Sequence, residues 1–299
     1  MLYWRLLIGV PIIMILVFLC FLDAQSQIPG LYLMPFFLVC VGFICKEVLE
    51  LLNAGGLKPR RLTVYLGTFW SMILCWFACY HYSLGNIQNL STETGWKTAA
   101  LACVYTLVAM AGGVLIAFIG EMARFKSPGG NIINLAGAVF AFTYIGMLGC
   151  FMIMLRIAYG IEAILSLIIV TKFGDSGAYA VGRLLGRHKM VPGLSPGKTV
   201  EGAIGGLTFA IFGSWFSMNV FFPFCVGQEP RTLAGVLIFG LLVGLAGVLG
   251  DLAESLIKRD VNRKDSGHFV PGFGGFLDIF DSLLMAAPVA FGLWAFHII

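Results

Sequence analysis

Charged residues are scarce in this chain: 15 acidic and 19 basic side chains make up 11% of its 299 positions. A soluble domain carries about a quarter, so a water-soluble globule of this composition would have too few polar groups to cover itself. Histidine is scarcer still, and the four scattered copies form no zinc-ligand set. The eight cysteines (Cys20, Cys40, Cys45, Cys75, Cys79, Cys103, Cys150 and Cys225) contain no CxxC pair and all lie in or beside apolar runs. They read as small hydrophobes, which excludes a disulfide framework. Period-2 alternation is lacking too, which excludes an outer-membrane barrel.

What the chain has in excess is apolar length, with 59% hydrophobic residues and a mean hydropathy of +0.93. In lipid the backbone must satisfy its own hydrogen bonds, and a spanning helix needs roughly 20 apolar residues. The expected fold is therefore all-α, a polytopic helical membrane protein. Its nine spans fall at about 6–22, 28–45, 62–84, 98–119, 132–155, 161–180, 203–222, 232–255 and 280–298. The first run follows Arg5, but Leu22-Asp23-Ala24-Gln25 lacks the small-x-small cleavage pattern, so it is expected to stay as a helix.

The fifth and sixth runs are separated only around Arg156 and Tyr159, and fusing them would give eight spans. Basic residues accumulate on the cytoplasmic side. Nine spans with a cytoplasmic N-terminus and an external C-terminus leave only Lys97, Arg156 and Arg231 of the 19 basic residues outside. Eight spans would divide them far more evenly. The net charge of +4 then follows from loop bias and requires no nucleic-acid partner. Asn89-Leu90-Ser91 fits a glycosylation triplet of the kind that arises by chance.

The two halves of the chain differ in kind. Residues 1–170 read as an N-terminal transmembrane bundle, and 171–299 as a catalytic region with cytoplasmic loops 182–202 and 258–277. Nine of the 15 acidic residues fall between 175 and 281. Asp251, Glu254, Ser255 and Lys258 are spaced i, i+3, i+4 and i+7, which places them on one helix face. A single intrahelical ion pair would be structural. Two carboxylates on a spanning helix point to function, because ionisable groups at a helix centre cost about 2.5–3.5 kcal/mol on insertion scales.

Asp278 and Asp281, spaced i, i+3, open the last span. Acids there can favour the helix dipole, but near Asp251 they would repel unless a cation lay between them. Divalent cations such as Mg²⁺ take carboxylate and phosphate oxygens. Arg183, Arg187, Lys189 and Lys198 add a polyanion-sized positive cluster. Gly197-Lys198-Thr199 is no P-loop, since Pro192 stands where a glycine is required. Gly182 and Gly186 have the spacing of helix-packing residues. Carboxylates, bases and glycine-bearing loops together suit metal-assisted phosphoryl or nucleotidyl transfer.

Several segments resemble one family in order: Asp175-Ser176-Gly177-Ala178-Tyr179, then Ser195-Pro196-x-Lys198-Thr199-x-Glu201-Gly202, then Gly250-Asp251-Leu252-x-Glu254-Ser255. They continue through Lys264-Asp265-Ser266-Gly267 to Pro271-Gly272-Phe273-Gly274-Gly275-Phe276-Leu277-Asp278-Ile279-Phe280-Asp281-Ser282. This pattern, covering about 171–282, resembles phosphatidate cytidylyltransferases (CDP-diacylglycerol synthases). Phe273 and Ile279 stand where that family usually has His and Arg, while the acids are retained.

The resemblance implies that CTP and phosphatidate give CDP-diacylglycerol and diphosphate. It further implies one or two divalent or mixed metal ions including Mg²⁺, phosphatidate from the inner leaflet, a homodimer, and residence in a bacterial inner membrane. Asp251 and Asp278 are the expected metal ligands, with Asp265 and Asp281 as further candidates. Ser255, Lys258, Asp265 and Asp281 are the expected catalytic residues, and Lys198, Arg259, Lys264, Ser195 and Asp175 the substrate-binding ones. A related enzyme acting on another lipid phosphate, or a transporter of an anionic solute, are the competing readings.

Overall fold

A computed structural model describes residues 2–85, 92–227, 229–267 and 274–299, with side chains described throughout these except 2–10, 12–13, 82–85, 92–99 and 226. The triplet Asn89-Leu90-Ser91, His268 and Phe273 lie outside the described residues.

The chain is helical almost throughout: α1 (Leu2–Gln25), α2 (Leu33–Ala54), α3 (Arg61–Gly85), α4 (Thr92–Met122), α5 (Asn131–Phe142), α6 (Leu148–Tyr159), α7 (Ile161–Leu185), α8 (Val200–Phe216), α9 (Phe222–Val226), α10 (Leu233–Asp260) and α11 (Leu277–Ala295). Short π-helical segments, Thr143–Met147 and Ser217–Phe221, join α5 to α6 and α8 to α9. Among the described residues seven helical stretches are long and apolar enough to cross a membrane, from Arg61–His81 through to Leu277–Ala295. They coincide with the third to ninth expected spans. Gly160, at φ 87°, separates α6 from α7, so the fifth and sixth runs are distinct helices.

One departure from the all-helical reading is a small antiparallel hairpin in the 182–202 loop, β1 (Lys189–Val191) and β2 (Ser195–Thr199), pairing Lys189 with Thr199 and Val191 with Ser195. Its strands are too short and too polar to show a period in the sequence.

The chain forms two compact units, 1–161 with 260–279, and 162–259 with 280–299. In the first, Phe142 packs against glycines of two neighbouring helices. A Cβ at Gly67 on α3 or Gly113 on α4 would lie 3.3 or 3.2 Å from its ring. Buried Asp23, at the end of α1, accepts the amides of Gly30 and Tyr32 at 3.1 and 3.0 Å and pairs with Arg156 Nε on α6 at 2.5 Å. Removing one partner of a buried pair costs about 3–5 kcal/mol, so this lock holds α1, α2 and α6 together. All eight cysteines are free and six are fully buried. Cys75 and Cys150 donate weak hydrogen bonds to backbone carbonyls, as small core residues do.

The second unit is assembled on glycine seams. Without a hydrophobic force between helices in lipid, association relies on close backbone approach at small residues. A Cβ on Gly177 would lie 2.4 Å from Phe209, and one on Gly205 2.4 Å from Val181, so α7 and α8 meet along these positions. Gly186 belongs to the same seam, where a Cβ would meet Thr199 Oγ1 at 2.7 Å. Gly240 on α10 meets the backbone of Ile211 on α8 in the same way, at 2.5 Å.

Candidate active site

Within the second unit the glycine seam ends at Gly250. A Cβ there would lie 2.6 Å from the Asp281 carbonyl oxygen and 3.0 Å from Ser282 Cα. This contact brings α10 and α11 together one residue from Asp251. As a result Asp251 and Glu254 from α10 and Asp281 from α11 each place a carboxylate oxygen within 4.8 Å of the others. Glu254 is 1% and Asp281 4% exposed, while Asp251 opens towards solvent. Ser255 and Lys258 are buried on the same face of α10, and Leu256 points outward. The polar stripe thus faces the protein and the apolar side faces out, the reverse of a soluble helix.

Two lysines neutralise part of this charge. Lys258 donates to Glu254 Oε2 at 2.6 Å. Lys198, delivered by β2, lies 2.8 Å from Asp251 Oδ2, an ion pair without hydrogen-bond alignment. Fully ionised, three carboxylates against two ammonium groups would leave one net negative charge. Each carboxylate pair repels by roughly 3–4 kcal/mol at ~5 Å with an effective dielectric of ~20. Oxygen donors, close spacing and residual negative charge are what a hard divalent cation requires, so the donor set fits such an ion.

The hairpin is held where Lys198 can reach. Thr199 caps α8 by accepting the Gly202 amide at 3.1 Å, and Arg259 Nε donates to the Leu194 carbonyl at 3.2 Å, tying the turn to the end of α10. Ser195 lies on β2 opposite Val191. Glu201 accepts the amides of Arg187 and His188. Asp175 on α7 pairs with Lys172 at 3.0 Å. Ser282 Oγ lies 3.4 Å from Asp175 and 3.1 Å from Asp281, and its single proton serves one of them at a time.

The first unit holds the other motif residues, Lys264, Asp265 and Asp278, and joins them to a residue outside the motifs. Glu47, 5% exposed on α2, accepts Ser266 Oγ at 3.1 Å and the amides of Phe276 and Leu277 at 2.9 and 2.8 Å. It therefore caps α11. Asp278 Oδ2 accepts the Gly275 amide at 2.7 Å and lies 2.8 Å from Ser266 Oγ, whose single proton serves Glu47 or Asp278 at any one time. Phe43, one turn before Glu47, stacks on Phe276 with ring centroids 4.8 Å apart.

These two carboxylates explain the glycines around them. A Cβ at Gly275 would lie 2.1 Å from Ser266 Oγ, and one at Gly267 2.6 Å from Glu47 Oε1. Gly274 combines φ 93° with an approach of 2.5 Å to Asp278 Oδ2. Burial pushes the Glu47 carboxyl up from its ordinary range, and the Leu277 and Phe276 amides with Ser266 pull it back. Lys264 and Asp265 are exposed on the loop.

The sequence profile of the cytidylyltransferase family matches residues 5–297. The chain is 32% identical over 267 residues to the phosphatidate cytidylyltransferase of Bacillus subtilis, taking in 88% of this chain and 89% of that one. It is 36% identical over 159 residues to the Staphylococcus saprophyticus protein of the same name, covering 53% and 58%. With that of Haemophilus influenzae it shares 40% over 130 residues, 44% of each chain.

The chain belongs to the cytidylyltransferase family.

As a member of that family it is a nucleotidyltransferase, and with its apolar helices a multi-pass protein of the inner membrane. Cytidylyl transfer brings polyanions together, a chemistry favoured by positive charge and by cations held on oxygen ligands. Two residues acquire roles the motifs did not assign. Glu254 joins the carboxylate cluster, although the stripe had already placed it on the correct face. Glu47 lies some 220 residues before its partners. Its one sequence signal was an acid at the end of an apolar run, a mark of function in membrane helices.

Proposed function

We propose that this chain transfers the cytidylyl group of CTP to phosphatidate, giving CDP-diacylglycerol and diphosphate at the inner face of the membrane. The observation that carries the reading is the Asp251, Glu254 and Asp281 cluster with Lys198 and Lys258 beside it. The family match and the relatives' names support the substrates. The lipid phosphomonoester is already largely ionised at neutral pH, so its oxygen can attack the α-phosphorus of CTP without a general base. The bond from the α-phosphorus to the bridging oxygen breaks, and diphosphate leaves.

Mg²⁺, held by Asp251, Glu254 and Asp281, would supply Lewis-acid stabilisation of phosphate charge. Lys198 and Lys258 neutralise these carboxylates and would exchange that contact for phosphate oxygens. Arg259 and Thr199 hold the hairpin that presents Lys198. Ser255 and Asp175 border the cluster, and Ser195 and Lys264 are assigned to substrate binding from the motifs. Asp278 and Asp265 are assigned as further cation donors on the same ground.

Purified protein incubated with CTP and phosphatidic acid should form CDP-diacylglycerol and diphosphate with Mg²⁺ and not with EDTA. Equal turnover of phosphatidate and a prenyl phosphate would shift the reading to a broader lipid-phosphate enzyme. No product from any lipid phosphate would overturn it.

A further inference from the structure

In the first unit, remote in sequence from the motifs, an open cavity of about 820 Å³ is lined by Lys58, Arg60, Arg61, Arg124 and Lys126. Among the described residues none of the five makes an ion pair with an acid. The backbone around them is fixed. The Lys58 amide donates to Asn134 Oδ1 at 2.8 Å, and Arg124 Nη1 donates to the Lys58 carbonyl at 2.9 Å. Like charges gathered in one concavity repel one another, so their convergence needs a cause.

Positive-inside bias explains the compartment these residues occupy but not why they meet. Arg124 and Lys126 follow the C-terminus of α4, where cations complement the helix dipole. Arg60 and Arg61 stand at the opposite kind of helix end. They open α3, whose first turn holds no acid, and cations at an N-terminus are unfavourable. An N-terminus with its amides and two guanidinium groups is instead suited to an anion. The spans Arg61–His81 and Ala100–Met122 both end at this cavity, which places it at the level of the lipid headgroups.

We infer that the cavity binds the phosphate of an anionic membrane phospholipid, at a site separate in sequence from the carboxylate cluster. Guanidinium groups match phosphate oxygens in pairs, and the neighbouring apolar spans leave the acyl chains in the bilayer. The inference does not depend on the proposed reaction, and its test reads lipid binding alone.

The test uses full-length protein, with native mass spectrometry of lipid retained from nanodiscs of phosphatidylcholine mixed with phosphatidylglycerol. Titration with dihexanoylphosphatidylglycerol in neutral detergent gives the affinity. Wild type should retain phosphatidylglycerol over phosphatidylcholine. The triple variant Arg60→Gln/Arg61→Gln/Arg124→Gln should bind the short-chain lipid about tenfold or more weakly. Arg60→Lys/Arg61→Lys/Arg124→Lys, which keeps the charge and hence the topology signal, should fall between the two. Lys46→Gln, a basic residue outside the cavity, should match wild type. Unchanged affinity in the glutamine variant would overturn the site, and so would inorganic phosphate competing as effectively as the lipid, which would indicate a soluble anion. If the glutamine variant fails to insert, equal retention of both lipids by wild type still overturns the inference.

Discussion

At the scale of single residues, the carboxylates divide by what they touch. Asp251 and Asp281 meet each other, and Asp251 meets Lys198, within one unit, so their charge rather than their shape matters. Asp251→Asn and Asp281→Asn should each lower turnover by about a hundredfold or more, equivalent to about 2.7 kcal/mol of barrier, without loss of expression. A variant that retains a tenth of wild-type activity in the CTP and phosphatidate assay would remove that residue from the essential donors. Glu47 acts instead by position. Glu47→Gln keeps one carbonyl oxygen as acceptor but sets its NH₂ against either the Phe276 or the Leu277 N–H group, at about 1–3 kcal/mol for the orphaned donor. Thermal stability should fall, and kcat of the folded fraction should drop about tenfold or more while KM for CTP stays within about threefold. Glu47→Asp should restore part of it. Unchanged kcat in the folded fraction would make Glu47 a purely structural cap.

Among the elements, the contact of α10 with α11 decides the site. Gly250 allows it, because a Cβ there would meet the Asp281 carbonyl oxygen at 2.6 Å, and a backbone atom cannot swing aside. Gly250→Ala should separate the helices and move Asp281 away from Asp251. Misplacement by ~1 Å can cost on the order of 10²-fold in rate, whereas overpacking costs about 1–3 kcal/mol of stability. Activity should therefore collapse while the protein still purifies as a folded species. Gly292→Ala, on the same α11 with nothing within 4 Å of its Cβ, serves as the neutral control. Wild-type activity in Gly250→Ala would mean that the cluster tolerates a wider spacing. The hairpin is the other element that matters, since β2 carries Lys198 to Asp251.

For the whole molecule, the distribution of basic residues makes a prediction about orientation. Only Lys97, Arg156 and Arg231 of the 19 fall on the external side of the nine-span arrangement. Cys225 is exposed and follows the seventh expected span, so an impermeant thiol reagent should label it in intact cells. In a Cys225→Ser background, a cysteine introduced at Asn262 should be labelled only after the membrane is opened. Labelling at 262 in intact cells would overturn the orientation.

The sequence alone determined the membrane class, the long apolar helices from the third to the ninth expected span, and the stripe on α10. Each of these depends on local periodicity or on solvent cost, and both are properties of neighbouring residues. Tertiary structure decided the rest. Glu254 became the third member of a carboxylate cluster because Gly250 lets α11 approach, and a steric contact between two helices leaves no period in either. Lys198 reached Asp251 through a hairpin of eight strand residues, too short to register as alternation. Glu47 capped α11 from far along the chain, and Gly274 and Gly275 owe their lack of a side chain to carboxylates packed against them. Only packing brings such distant groups together, because hydrogen-bond and van der Waals contact act over a few ångströms of space and not along the chain.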